Sequence, residues 1–125
     1  MAEPLIVITR ARVKEGKLQD LMRHHKQILK IVETNEPQLV AFHGFLNEDG
    51  TEMTRIQVHP DTESMDFHMQ VLTDNWDKSF SEYGEIISVE YYGTPSKSAL
   101  DMDLRTQTPL NLNPRHIAGF SRPIT

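Results

Sequence analysis

Six histidines and no cysteine define the side-chain chemistry open to this chain of 125 residues. Imidazole is the group that exchanges protons near neutral pH, so the histidines are the first candidates for a site. His68 stands in "MDFHMQVL", inside a stripe that is otherwise apolar. Such a residue either faces a pocket, where it hydrogen-bonds a ligand or takes its proton, or sits in the core bonded to a carbonyl or carboxylate. His25 falls on the apolar stripe of "KLQDLMRHHKQILKIV", where it either meets His68 at one cavity or is a satisfied, partly buried residue; its neighbour His24 is expected in solvent. His43 alternates in phase with Leu39, Ala41 and Phe45 and shares their sheet face. His59, just before Pro60, is expected at the surface, and His116 in the tail is uncommitted.

Other chemistries lack their residues. Without cysteine there is no thiol nucleophile, disulfide or thiolate metal site. No His-x-x-x-His or His-Glu-x-x-His pattern occurs, and the adjacent His24 and His25 cannot face one ion, so no metal is expected. Glycine-rich phosphate loops, nucleophile elbows and paired-carboxylate motifs are also absent. Met22, Met53, Met65, Met69 and Phe67 either line a pliable apolar cavity or form plain core. Trp76 joins them as a pocket or packing residue, and Tyr83, Tyr91 and Tyr92 carry hydroxyls that could reach a phenol.

The elements that must position these residues follow from periodicity. "PLIVITRAR" reads as a strand. From Lys17 onward Leu18, Leu21, Met22, His25, Ile28, Leu29 and Val32 recur at helical spacing until Asn35 and Pro37 stop the run. Two strand-like runs flank Asn47-Glu48-Asp49-Gly50, a hairpin turn. Pro60 closes the second of them, and Asp61 caps a helix carrying Met65, His68, Met69 and Leu72. "EIISVEYYG" is a fourth strand. The order β-α-β-β-α-β is ferredoxin-like, an α+β fold with two helices on one face of a four-stranded antiparallel sheet.

Both faces of that sheet are apolar. Leu5 and Val7 oppose Ile6 and Ile8 in the first strand; Ile87, Val89 and Tyr91 oppose Ile86 and Tyr92 in the last. A sheet with one wet face alternates apolar and polar residues, so a second cover is expected. A partner's sheet is the economical one, giving a two-fold homodimer packed sheet to sheet.

Composition is that of one globular domain. The net charge of −5 argues against nucleic acid as a partner. No run is long enough to span a bilayer and "MAEPLIVITR" has no leader pattern, so neither membrane nor export is expected, and a cytoplasmic location fits. Up to Gly93 there are 9 Lys+Arg and 16 Asp+Glu; from Thr94 there are 4 and 2, a mildly basic tail. Residues 1–94 are read as the domain and 95–125 as an extension. Ser96 would cap a short helix to about Arg105, and "RHIAGFSR" would form an edge strand, with docking on the partner as one outcome.

"ARVKEGKLQDLMRHHKQIL", "TEMTRIQVHPDTESMDFHMQVL" and "ISVEYYGTP" resemble the strand exit, the third strand with its following helix, and the closing strand of the antibiotic-biosynthesis-monooxygenase-like branch of the dimeric α+β barrel superfamily. The likeness covers about residues 4–94. It implies a dimeric barrel with an apolar pocket between helices and sheet, and oxygenation of aromatic polyphenols or quinols by O2 with neither metal nor flavin. The resemblance puts His68 at the family's helix histidine, which makes it the catalytic candidate, with His25, His43, Met22, Met65, Met69 and Trp76 as the pocket set. A haem-degrading branch uses an asparagine, a tryptophan and a histidine where this chain has Thr9, His59 and no histidine between Thr73 and Gly84, so haem is disfavoured and no cofactor is expected. The alternative to the enzyme is a noncatalytic dimer that binds a small ligand in the same cavity, or is purely structural.

Overall fold

The computed structural model describes residues 3–75 and 80–122. The elements run β1 (Leu5–Val13), α1 (Leu18–Asn35), β2 (Ala41–Leu46), β3 (Glu52–His59), α2 (Thr62–Asn75), a 3-10 turn at Phe80–Glu82, β4 (Gly84–Tyr92), α3 (Lys97–Arg105) and β5 (Leu110–Asn113). The sheet order is β2-β3-β1-β4-β5. The first four strands pair antiparallel in the ferredoxin-like arrangement, and β5 joins β4 in parallel, with α3 as the crossover that parallel pairing requires. To the expected four-stranded antiparallel body the extension thus adds a fifth, parallel strand, and the whole sheet is mixed.

Local chemistry sets the boundaries. Gly50 takes a φ of 74° in the β2–β3 hairpin, and Asn47 Oδ1 accepts from the Glu52 N–H to close it. Asp61 Oδ1 accepts from the Ser64 N–H at the start of α2, the expected cap. Ser96 Oγ accepts from the Ala99 N–H, so α3 starts and stops where the tail sequence implies.

Register divides the sheet into two faces. The pairs Leu5–His59, Val7–Gln57, Thr9–Arg55 and Ala11–Met53 face the helices, as do Val89 and Tyr91. There Leu5, Val7, Val89 and Tyr91 pack with Met65 of α2, while Ile28 and Val32 of α1 pack with Phe42 of β2. Between these apolar clusters runs a buried polar seam of Glu36, Gln57, His59, Ser64 and His68. On the opposite face lie Ile6, Ile8, Ala41, His43, Phe45, Ile56, Val58 and Tyr92, with no layer of the described chain over them. In β4 a register shift opposite Arg10 and Ala11 breaks the simple alternation read from the sequence.

The extension packs against the body of the chain as far as Asn113. Tyr91 Oη donates to Asp103 Oδ2 at 2.6 Å, Ser96 Oγ donates to Asp66 Oδ1 at 2.6 Å, and Leu100 and Leu110 join the Met65 cluster. The added edge strand is Leu110–Asn113 and not "RHIAGFSR": Leu110 is half-buried beside Val89, whereas residues 114–122 are exposed and form no regular element.

Candidate functional site

A cleft of about 230 Å³ opens between α1 and the β2–β3 edge, lined by Leu21, Met22, His25, Lys26, Gly44, Phe45, Leu46 and Met53. Its walls are mostly hydrocarbon. Alternation along β2 points Phe42, Gly44 and Leu46 toward α1, and Gly44 is what leaves room for the imidazole. A methyl group on Gly44 would lie 2.6 Å from both Cε1 and Nε2 of His25. The ring also stacks on Phe42, with centroids 5.6 Å apart and planes 6° from parallel.

Behind His25 stands Arg55 of β3. Its Nη2 lies 3.3 Å from His25 Nδ1. A guanidinium has only donors, so Nδ1 must accept, and the ring's proton is on Nε2, the atom over Gly44. Burial, and next the Arg55 charge, hold His25 down to about 4 from 6.5, so the ring is neutral at pH 7. Burial also lowers Arg55 from 12.5 to about 10, which leaves it a cation. Its Cζ is 5.4 Å from the Phe42 centroid and 5.9 Å from that of Phe80, while Nε is buried with no hydrogen-bond partner. Among the described residues no carboxylate pairs with it. Among the described residues, Arg55 is thus a part-buried cation whose side-chain hydrogen bond goes to a neutral imidazole.

His68, the catalytic candidate, does not line this cleft; of the two placements open to it in the sequence it takes the core one, bonded to a carboxylate. It is 1% exposed, and its Nδ1 lies 3.0 and 2.9 Å from Glu36 Oε1 and Oε2. Glu36 stands just past α1. Pro37 after it disfavours helical backbone, and at ψ 71° Glu36 leaves the helix, its carboxylate bridging inward to α2. His59, expected at the surface, is 0% exposed and lies edge-on to His68, with ring centroids 5.7 Å apart. Gln57 Oε1 accepts from His59 Nε2 at 2.9 Å, so Nδ1 accepts from the Ser64 hydroxyl at 2.7 Å. Burial, then the charge of His68, push His59 down to about 4.

The rest of the expected set scatters. Met22 joins His25 at the cleft. Met65 and Met69 pack in the cluster of β1, β4 and α3, away from it. His43 is exposed on the sheet face opposite the helices, because β2 alternates and Phe42 takes the inner position. His24, expected in solvent, is 4% exposed and packs on Phe80 and Tyr83: the stripe of α1 that is buried runs Leu21, His24, Ile28, Val32. Trp76 lies outside the described residues. Among those residues no three His, Asp or Glu side chains are grouped to hold a metal ion.

Three site residues were not singled out from the sequence. Glu36 continues the α1 stripe four residues after Val32, and its place before a proline marks a turn out of the helix. Arg55 is in phase with Met53 and Gln57 on β3, which signals an inward charge. Gly44, inside a strand, is the usual mark of a close approach.

No protein-family model matches the chain, and no curated protein matches it. Solved structures do. MupZ from Pseudomonas fluorescens superposes with a TM-score of 0.71 at 15% identity, over 97% of this chain and 96% of its own. SnoaB from Streptomyces nogalater, a cofactor-independent oxygenase, gives 0.58 at 11% identity, over 77% and 97%. A candidate antibiotic biosynthesis monooxygenase from Bacteroides thetaiotaomicron gives 0.55 at 9%, over 76% and 90%. The chain shares its fold with these solved structures. SnoaB matches about three quarters of the chain, whereas the match to MupZ at 97% must take in α3 and β5.

Proposed function

We propose that the protein is a cofactor-independent monooxygenase-like enzyme that oxidises an aromatic polyphenol or quinol with O2 in the cleft between α1 and the β2–β3 edge. The observation that carries this reading is the pairing of a hydrocarbon-walled cleft with one imidazole seated on Gly44 at its floor. A flat aromatic molecule fits such walls, and Nε2–H of His25 supplies a fixed donor to a phenolic oxygen. In the phenol-to-quinone case the substrate loses four electrons and O2 takes them. One oxygen atom becomes the new carbonyl and the other leaves as water, so the balance needs no external reductant. The protein's part is to exclude water and favour the electron-rich phenolate. His68 and Glu36 act from beneath, tying α2 to the end of α1.

The apolar outer face of the sheet supports the second half of the reading, a homodimer with the two sheets packed face to face. Exposed patches of this kind mark contact surfaces.

Oxygen uptake over a panel of hydroxylated naphthalenes and anthracenes tests the enzyme. Wild type is expected to consume O2 with at least one member, and His25→Phe, which removes the donor to the oxyanion, to lower kcat/KM about 100-fold. Binding of the panel with no uptake by wild type would replace the enzyme with a noncatalytic ligand-binding protein.

A further inference from the structure

Arg55 presents a problem that the fold alone does not explain. Its guanidinium is held between Phe42 and Phe80, and among the described residues its buried Nε has no partner and its side-chain hydrogen bond goes to a neutral ring. A cation drawn this far out of water without a counter-charge is costly, and a hydrophobic residue of similar length would fill the same space. The seam beside it shows the usual solution, since Glu36 meets His68 there. Arg55 has no such carboxylate among the described residues, and the direction of its single bond is toward the cleft.

We propose that Arg55 and His25 form a two-residue relay that receives an oxyanion in the cleft, so that the site takes its aromatic ligand as the phenolate. The guanidinium donates to Nδ1, which fixes the tautomer and polarises the ring. Nε2–H, held over Gly44, donates to the ligand oxygen. His25 is a donor throughout and is not the base. The phenol gives its proton to solvent before or during entry, and no redox step is involved. Arg55 acts through His25 and is a positioning residue. The missing counter-charge is then the ligand's own, and the substrate class narrows to phenols acidic enough to ionise near neutral pH. Other titratable groups lie near enough to act on the ring: His24 from its own helix, His43 through the sheet from β2, and Lys26 at the cleft lining. Lys26 is the other cation that could attract an anion, but it is exposed, where water screens its charge.

This inference rests on the cleft being the aromatic-ligand site, yet its test needs no turnover. The probe is alizarin, 1,2-dihydroxyanthraquinone, whose visible spectrum reports ionisation of its phenol, with unsubstituted anthraquinone as the uncharged control. Bound to wild type, alizarin is expected to ionise at least one pH unit lower than free, a tenfold shift toward the anion. Arg55→Met and His25→Phe should each abolish that shift while still binding anthraquinone, which certifies an intact cleft. Arg55→Lys should keep part of it, and Lys26→Met most of it. An unshifted or raised ionisation on wild type, a shift that survives Arg55→Met, a shift lost in Lys26→Met alone, or no binding of alizarin to wild type would each overturn the relay. Absence of oxygen uptake with the shift intact would remove the oxygenase and leave the relay standing.

Discussion

His68 of α2 and Glu36 at the end of α1 form a buried pair, with Nδ1 2.9 Å from Oε2 and side chains 2% and 0% exposed. Among the described residues this imidazole is the carboxylate's side-chain hydrogen-bond partner, and the carboxylate is the imidazole's. Removing one member strands the other. Glu36→Leu is expected to cost about 3–5 kcal/mol in urea unfolding, and the double variant Glu36→Leu/His68→Leu to recover much of it, because no buried polar group is left unpaired. A single variant that costs less than about 1 kcal/mol would show the pair to be dispensable.

Gly44 and His25 can be tested as a unit. Gly44→Ala places a methyl within 2.6 Å of the ring, which must swing off Phe42 and break its bond to Arg55. A loss of about 1–3 kcal/mol in stability is expected, together with loss of ligand binding in the cleft. In a His25→Ala background the same methyl has space, so the cycle should show a coupling of at least about 1 kcal/mol. Additive effects would separate the two residues.

Acid should unfold the protein earlier than its carboxylates alone would. His25 and His59 both have ionisation lowered from 6.5 to about 4 in the fold. The unfolded chain binds their protons from pH 6.5 downward while the folded chain does not, so stability falls as pH drops from 6.5 to about 4. The slope is at most about 1.4 kcal/mol per pH unit per histidine, and less for His25, which is partly exposed. Subtracting the stability profile of His25→Phe from that of wild type should show a positive slope confined to that window. A difference that is flat from pH 7 to 4 would contradict a neutral, buried His25.

The uncovered sheet face predicts assembly. Ile8 and Ile56 are register partners at its centre, beside Ile6 and Val58. Light scattering is expected to give twice the chain mass at micromolar concentration, and Ile56→Glu to give a monomer, since a charge desolvated at the centre of an apolar interface is expensive. A monomeric wild type would end this reading of the face.

Much of the fold is legible from local pattern. The stripe Leu21–Ile28–Val32, the Asp-Gly hairpin, the Asp61 cap and the Ser96 cap are each determined by residues within a few positions of one another, where backbone preferences and periodicity act. The apolar character of both sheet faces is equally local, because it needs only period two. Which of two adjacent histidines turns inward is not. His24 and His25 differ by 100° around one helix, and the choice depends on where Phe80, Tyr83 and Phe42 stand. The edge strand is decided the same way: Leu110 has a place beside Val89, and "RHIAGFSR" has none.

What the chain's pattern determines by itself is a βαββαβ body, its two apolar sheet faces, a short capped helix in the tail and a set of histidines without metal-ligand spacing. What only the tertiary structure decides is which of those histidines has room beside it. His68 and His59 find partners in Gln57, Ser64 and a glutamate 32 residues away, and are sealed. His25 finds a glycine on the next strand and an arginine 30 residues away, and stays at an opening. Hydrogen-bond partners and empty volume are properties of packing between distant segments, and no spacing along the chain encodes them.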